Sequence, residues 1–451
     1  MNVLVRLGDR SARLAQAIVP DPFVISILLA VVAFAIGLLV NGAGPLVLLQ
    51  SFAGGMLETA LIAFAFEMAL ILVTGHALAA APGVRRLLER LADLPRTTGS
   101  AASMVAGTAM VLGLLNWGLG LVGGAFLARE VGRSFRRRGL ALNYGLVGAA
   151  GYMGMLIWHG GLSGSAPLKV ATAGAFGPAI DVTQTLFSPL NLVVTAGLLL
   201  VNPTVFFLLG GSTSQAAEPT PELEVAELEQ HEALPPGPVR WMERSPVVMA
   251  CLALPLLVAL GSMLWAKGTA AVNLQTVILL FWAVGLVLHG TPLTYARAFG
   301  EGAAGAAGIL LQFPIYFGVM AVMRESGAMA AVAHTFANWA LALRGTIPPE
   351  VSASVGTFLS ASLINLFVPS GGGQWALQSP LILESAQALG LERAPLVMAF
   401  SYGDQLTNML QPFWALPLLS ITGLGARHVM GYTLLAMLAA LPVFLLGLAL
   451  L

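Results

Sequence analysis

The chain predicts an all-α polytopic membrane protein. Of its 451 residues 57% are hydrophobic and only 9% charged, where soluble domains carry about 25% charged residues. Apolar runs of about 20 residues, the length that crosses a bilayer, recur along it. Several of these runs are interrupted in the middle, at matching points of the two halves. Bare backbone is tolerated at membrane depth only where protein buries it or a cavity hydrates it.

Arg6, Arg10 and Arg13 precede the first apolar run, near 21–41. That run has no small-residue cleavage site, so it reads as a first span and not a removed signal peptide, with the N-terminus cytoplasmic. Further spans are expected near 57–81, 140–160, 186–209, 246–266, 272–290, 303–323, 394–411 and 428–450, about nine in all. Residues 83–94 form an amphipathic stretch, with Val84, Leu87, Leu88 and Leu91 on one face. Such a stretch suits a helix lying along the cytoplasmic interface, as a tether or an arm between domains.

Residues 101–128 and 351–388 do not fit as simple spans. The loop with Arg85, Arg86, Arg90 and Arg96 is basic, as is the loop with Arg129, Arg133, Arg136, Arg137 and Arg138. Short basic loops lie on the cytoplasmic side. Residues 97–128 must then enter the membrane and return to the same face, as a re-entrant hairpin of two half-length helices tipped near Asn116-Trp117-Gly118. The same reading applies to 351–388, where the loops near Arg344 and Arg393 are poor in positive charge, as an outer face should be.

This divides the chain. Residues 1–209 form a first repeat, with its hairpin near 101–128 and a broken helix near 159–168. Residues 210–245 form an acidic cytoplasmic linker with Glu218, Glu222, Glu224, Glu227, Glu229 and Glu232 among prolines. A linking span at 246–266 flips the chain. Residues 267–451 form a second, inverted repeat, with its hairpin near 351–388 and a broken helix near 404–417. Ala35-Ile36-Gly37 matches Ala283-Val284-Gly285, Asn116 matches Asn365, and Pro167 matches Pro417. The offset stays near about 250 residues. Paired interruptions in two halves are the best sequence pointer to a transporter's binding site.

Each break exposes helix termini. An N-terminal end offers free N–H groups and partial positive charge, which suits a carboxylate. The candidate substrate-binding residues are Asn116, Trp117, Gly118, Ser163, Gly164, Ser165, Asn365, Ser370, Gly371, Gly372, Gly373 and Gln374. They supply amides, hydroxyls and backbone that a ligand can approach closely. Close helix packing by small residues explains the same pattern without a ligand. Trp117, Trp375, Phe413 and Trp414 lie beside the breaks and could wall a short apolar tail. Lys169 follows the first break, where it could counter a substrate charge or snorkel to the outer interface.

Ionisable groups inside spans are costly and need a reason. Asp404, beside Gln405 and Asn408, is the first candidate to carry a proton or bind a cation. Asn408, Glu67 and His76 complete the ion-coupling set, with H⁺ or Na⁺ as the coupling ion and Asn116 and Asn365 as candidate sodium contacts. His159 adjoins the first break, as a ligand-side hydrogen-bonder or a satisfied core histidine. Glu58 and Glu301 stand near span ends and read as solvated.

Other classes are excluded or weak. Net charge is zero, so no global field recruits nucleic acid. The single cysteine, Cys251, rules out an internal disulfide and a cysteine-based metal site, and reads as a small packing residue. Gly403-Asp404 lacks the Tyr-Asp partner of an intramembrane aspartyl protease. His231-Glu232 is followed by Pro235 where a zinc site needs its second histidine, and no phosphate-binding loop is present. The chain is not expected to be an enzyme and requires no cofactor.

The quoted motifs carry a resemblance. Thr74-Gly75-His76-Ala77-Leu78, Asn116-Trp117-Gly118, Phe126-Leu127-Ala128-Arg129-Glu130, Ser163-Gly164-Ser165-Ala166-Pro167-Leu168, Val368-Pro369-Ser370-Gly371-Gly372-Gly373 and Gln411-Pro412-Phe413-Trp414-Ala415-Leu416-Pro417 closely resemble the bacterial short-chain fatty acid transporter family. The likeness runs from about Pro20 to the C-terminus, apart from the acidic linker. It implies uptake of butyrate- or acetoacetate-like monocarboxylates across the bacterial inner membrane. His159 falls where the resemblance leads one to expect glycine. A more distant similarity to the ion-transporter superfamily implies an elevator motion and a homodimer. The rivals are a transporter of another anion, dicarboxylate or aminoacyl, and an anion channel.

Overall fold

The computed structural model describes residues 3–40, 44–171, 179–211, 237–271, 274–343 and 346–450. The regular structure there is entirely helical. In chain order the helices are α1 (Val3–Ile18), α2 (Pro22–Val40), α3 (Pro45–Met56), α4 (Thr59–Ala80), α5 (Pro82–Ala92), α6 (Thr98–Leu115) and α7 (Trp117–Arg137). Next come α8 (Tyr144–Gly151), α9 (Ser165–Val170), α10 (Pro189–Leu209), α11 (Pro238–Arg244), α12 (Pro246–Lys267), α13 (Leu274–His289) and α14 (Pro292–Ala304). The last are α15 (Ala307–Glu325), α16 (Ala328–Ala342), α17 (Pro349–Asn365), α18 (Gly371–Leu389), α19 (Arg393–Thr407), α20 (Pro412–Thr422) and α21 (Ala426–Ala449). Proline opens many of them, because its missing N–H has no acceptor in a first turn anyway. Gly390 and Gly423 close α18 and α20 with positive φ, which a side chain would strain.

Seven helices among the described residues are long and apolar enough to cross a bilayer. The sequence suggests about nine. Residues 140–160 are not a continuous span: α8 gives way to 3₁₀ turns at Met153–Leu156 and Trp158–Gly160. At 394–411, α19 stops at Thr407 and a 3₁₀ turn, Asn408–Leu410, precedes α20. Helix α13 has only 16 residues. Helix α6, expected as half of a hairpin, has 18 and is itself long enough to cross.

Helices α6 and α7 form a hairpin with its bend at Asn116. A Cβ on Gly120 would come 2.6 Å from the Gly113 Cα, and one on Gly124 2.8 Å from the Ala109 side chain. These pairs lie symmetrically about residue 116, so the arms run antiparallel. Glycine at the seam lets the two backbones touch. The open end is tied as well. Asp93 accepts from the Ser134 hydroxyl at 2.5 Å and from Arg137 at 3.4 Å, and Arg138 donates to the Asp93 carbonyl at 2.9 Å. The arms have 18 and 21 residues, about 27 and 32 Å at helical rise, longer than the half-length helices expected.

One basic loop needs correction. Residues 129–137 are the last turns of α7 and not a loop. Arg129 and Glu130 are buried there. Glu130 lies 3.4 Å from Arg129 Nε and 2.8 Å from Arg133 Nη1, and the Arg129 guanidinium sits 4.8 Å over the Phe126 ring. These opposite charges offset one another, although Arg129 Nε makes no hydrogen bond among the described residues, so the helix can carry them inward.

Helices α17 and α18 form the second hairpin, bent at 366–370. Gln374 donates to the Ala361 carbonyl at 2.8 Å, and Gln378 to the Ser360 hydroxyl at 3.2 Å. One apolar core gathers α4, α6–α8, α20 and α21. A second holds α9 with α17–α19. A third packs Ile364 and Val368, near the second tip, against α2, α3, α15 and α16.

The outer face is apolar, with Trp265 of α12 93% exposed. Cys251, expected as a packing residue, is also exposed on α12. Bilayer lipid would cover that surface. Helix α5 turns Leu88 and Leu91 toward the core and leaves Leu87 exposed. The acidic stretch Glu218 to Glu232, the His231-Glu232-Pro235 pattern and Arg344 lie outside the described residues.

Candidate functional site

The first tip is held by its own half. Asn116 caps α7 through Oδ1, which accepts from Gly118 at 2.9 Å and Leu119 at 3.3 Å. The Ser163 hydroxyl accepts from the Trp117 N–H at 2.9 Å, and Leu162 donates to the Leu114 carbonyl at 2.7 Å. Gly164 lies so close to the His159 carbonyl that a side chain there would collide with it. Gly118 similarly meets Ile71 of α4.

The second tip reaches the same stretch from the other half. A Cβ on Gly371 would lie 2.8 Å from His159 Cε1, 3.1 Å from the Trp158 ring and 3.4 Å from Asp404 Oδ2. One on Gly372 would lie 3.3 Å from Lys169 Nζ and 3.8 Å from Ser165 Oγ. Lys169 donates to the Gly372 carbonyl at 2.7 Å. Ser370 caps α18, taking the Gly373 N–H on its hydroxyl and the Gln374 N–H on its carbonyl. The amides of Gly371 and Gly372 keep no acceptor among the described residues, as the first N–H groups of a helix do without a further cap. Residues 158–169 are therefore touched by both tips.

Asp404 stands at this junction, 1% exposed. His159 Nδ1 lies 3.1 Å from its Oδ1, and the Gln405 side chain accepts from the His159 backbone N–H at 3.0 Å. Asn365 uses its amide nitrogen here, donating to the Asp404 carbonyl at 2.7 Å, Thr407 Oγ1 at 3.0 Å and Asn408 Oδ1 at 2.9 Å. The Gln411 amide donates to the Asn365 carbonyl. The Tyr152 hydroxyl donates to the Asn408 carbonyl at 2.9 Å, so the two broken helices are bonded to each other.

The structure thus brings together Asn116, Trp117, Ser163, Gly164 and Ser165 around the first break. It brings Asn365, Ser370–Gly373, Asp404 and Asn408 together around the second. Gln374 lies inside its own hairpin, bonded to Ala361 and Gln378. Glu67 pairs with Gln275 of α13 at 2.7 Å, one turn along α4 from the Ile71 that meets Gly118. His76 stands farther off, 3.7 Å from Glu301 and against Phe126. Glu301 is exposed beside His76, and Glu58 stays partly exposed while lying 3.4 Å from Arg324, in keeping with solvated groups near span ends. Trp117 meets Trp414 edge-on at 5.2 Å, Phe413 stacks on Phe313 at 3.9 Å, and Trp375 packs on Phe400 at 5.0 Å in another core.

Sequence reasoning missed Asn191, whose amide donates to the Gly160 carbonyl at 2.8 Å and whose oxygen accepts from Tyr402. It also missed Tyr152 and the reach of Lys169. A lone polar residue in an apolar run was the available signal. Among the described residues no group of three or more His, Cys, Asp and Glu is placed to hold a metal.

Comparison with known proteins identifies the family. The family model for short chain fatty acid transporters matches residues 3–451. The chain belongs to the short chain fatty acid transporter family. A relative from Escherichia coli (strain K12), provisionally named a short-chain fatty acid transporter, is 38% identical over 99% of both chains. One from Haemophilus influenzae (strain ATCC 51907 / DSM 11121 / KW20 / Rd), named likewise, is 34% identical over 95% of this chain and 96% of its own. Among solved structures, the Alcanivorax borkumensis YdaH transporter aligns over 96% of this chain and 97% of its own. Its 16% identity and TM-score of 0.45 are too slight to carry an argument. The protein is a multi-pass bacterial membrane transporter and not an enzyme.

Proposed function

We propose that the protein is a secondary active transporter of short-chain monocarboxylates, butyrate- or acetoacetate-like, across the bacterial inner membrane. One observation carries this reading. The unbonded amides of Gly371 and Gly372, the Lys169 ammonium and the Asp404 carboxyl surround one tip, and that tip meets the first broken helix. A helix N-terminus with a neighbouring cation suits a carboxylate. Trp158, which faces Gly371, offers apolar surface for a short tail.

On this reading the halves are inverted repeats, with 210–245 as the linker and the N-terminus cytoplasmic. The hairpins re-enter the membrane and move with their broken helices as one elevator body, in a homodimer. The third apolar core would be its sliding contact with α2, α3, α15 and α16. Protons are favoured over sodium for coupling. The Asn116 oxygen is spent on two amides, while the Asn365 oxygen is buried without a partner among the described residues, so the preference for protons rests on Asp404 Oδ2, a buried carboxyl oxygen that bonds nothing there.

Labelled butyrate uptake into proteoliposomes, with pH and Na⁺ gradients imposed separately, tests the proposal. Uptake driven by the pH gradient is expected. No uptake under either gradient, with folded protein, would overturn it. The bond from Lys169 to the tip favours a second reading, in which a second carboxylate meets that ammonium. A competition panel with dicarboxylates separates the two.

A further inference from the structure

The His159 ring is buried at the first break. Ala166 donates its backbone N–H to His159 Nε2 at 3.2 Å. A ring nitrogen that accepts holds no proton, so the proton of this neutral imidazole is on Nδ1. Nδ1 therefore donates to Asp404 Oδ1, 3.1 Å away. Trp158 stacks on the ring at 4.3 Å, Phe400 meets it edge-on at 6.0 Å, and Gln405 holds the backbone N–H. These contacts keep the ring in place. Protonating Nε2 would set two N–H groups against each other, so the ring is poorly suited to carry the transported proton.

Asp404 Oδ2 is different. It is buried and bonded to nothing among the described residues. It faces Gly371, at the unbonded end of α18. A bare anionic oxygen here would claim the positive helix end and repel a second carboxylate. A protonated Oδ2 would instead offer an O–H to an arriving anion and leave the Gly371 and Gly372 amides to it.

We infer that His159 fixes Asp404 so that Oδ2 is its sole point of proton uptake, and that this proton must be in place before the substrate carboxylate occupies the tip of α18. The inference rests on the monocarboxylate reading above. One proton and one carboxylate load together. The proton comes from water on one face and leaves the same oxygen on the other, so the loaded site carries no net charge across. His159 is a positioning residue and does not touch the substrate. Among the described residues the other charged group at this junction is Lys169 of α9, bonded to the adjacent Gly372. Glu350 of α17 and Glu384 of α18 stand toward the far ends of their helices, and Arg427 and His428 open α21.

Calorimetric titration of the full-length protein with butyrate, in buffers of different ionisation enthalpy, counts the protons taken up on binding. Above the titration midpoint the wild type is expected to take up about one per butyrate, its affinity there falling about tenfold per pH unit. Asp404→Asn keeps a donor at this position. It is expected to bind butyrate without proton uptake and with a flat pH profile, and to exchange butyrate in counterflow while losing uphill uptake. His159→Asn, which keeps an N–H, and His159→Leu, which does not, are compared at equal melting temperature. The first is expected to keep the wild-type midpoint and the second to move it by about one unit or more.

Wild-type binding without proton uptake and with a flat pH profile at every pH tested, or proton uptake retained in Asp404→Asn, would overturn the inference and leave the transport reading intact. Equal midpoints in both His159 variants would remove His159 from the role. Folded wild type with neither butyrate binding nor counterflow would overturn the transport reading, and this inference with it.

Discussion

Asn116 and Asn365 occupy matching places at the two bends and are used in opposite senses. Asn116 accepts with its oxygen and caps a helix, while Asn365 donates with its nitrogen and clamps α17 to α19. Asn116→Ala is expected to cost about 1 kcal/mol, the usual value of a lost N-cap, read as a lower melting temperature. Lys169 is exposed and, among the described residues, bonds only the tip. Lys169→Ala should therefore leave stability almost unchanged and raise the KM for butyrate about tenfold, the size of one lost charge-assisted contact. An unchanged KM would place the carboxylate elsewhere. Asp404 was legible in the sequence, because a carboxylate in an apolar segment needs a reason. Its bond to His159 was not, since 245 residues separate the two.

At the scale of elements, the first hairpin is sealed by glycine and clasped at its base. A Cβ on Gly124 would press on Ala109 and on the Gly151 backbone carbonyl. Gly124→Ala is expected to lose about 1–3 kcal/mol, the cost of overpacking a tight seam, measured by thermal unfolding. At the base, the Ser134 hydroxyl, then Arg137 and Arg138, hold the Asp93 carboxyl below the usual carboxylate range. A group whose folded pKa is depressed stabilises the fold above its unfolded value and loses that contribution as pH falls. The clasp should hold at neutral pH and weaken once the pH drops below the ordinary value of 3.8. Asp93→Asn should remove this acid-limb dependence, with only a small change at pH 7 because the side chain is half exposed. The bends themselves were readable from Asn, Gly and Pro in apolar runs. The lengths of the arms were not, because paired charges such as Arg129 with Glu130 let α7 run on beyond 128.

At the scale of the molecule, the second tip lies between two bodies. Gly371 and Gly372 face the broken helix, while Ile364 and Val368 pack on α2, α3, α15 and α16. Met320 of α15 approaches Gly373, its Cε 3.7 Å from where a Cβ would sit. If transport needs the tip to slide past α15, cross-linking Met320→Cys to Gly373→Cys with a short bis-methanethiosulfonate, which links them through disulfides, should abolish uptake, and reduction should restore it. Uptake that persists in the cross-linked protein would exclude that motion. The background for this test is Cys251→Ser. Its effect on stability should stay within about 0.5 kcal/mol, because the thiol is free and exposed.

Composition and hydropathy alone determined that this chain enters a bilayer as helices, and the polar interruptions alone marked where those helices break. Both follow from local physics: lipid cannot bond to bare backbone, so its exposure must be confined to a few sites. Only the tertiary structure decided that the second tip closes over the first broken helix, that His159 and Asp404 meet beneath it, and that His76 stands apart with Glu301. Those are contacts between residues far apart in the chain. Their partners are chosen by how whole helices pack, which no local pattern of residues records.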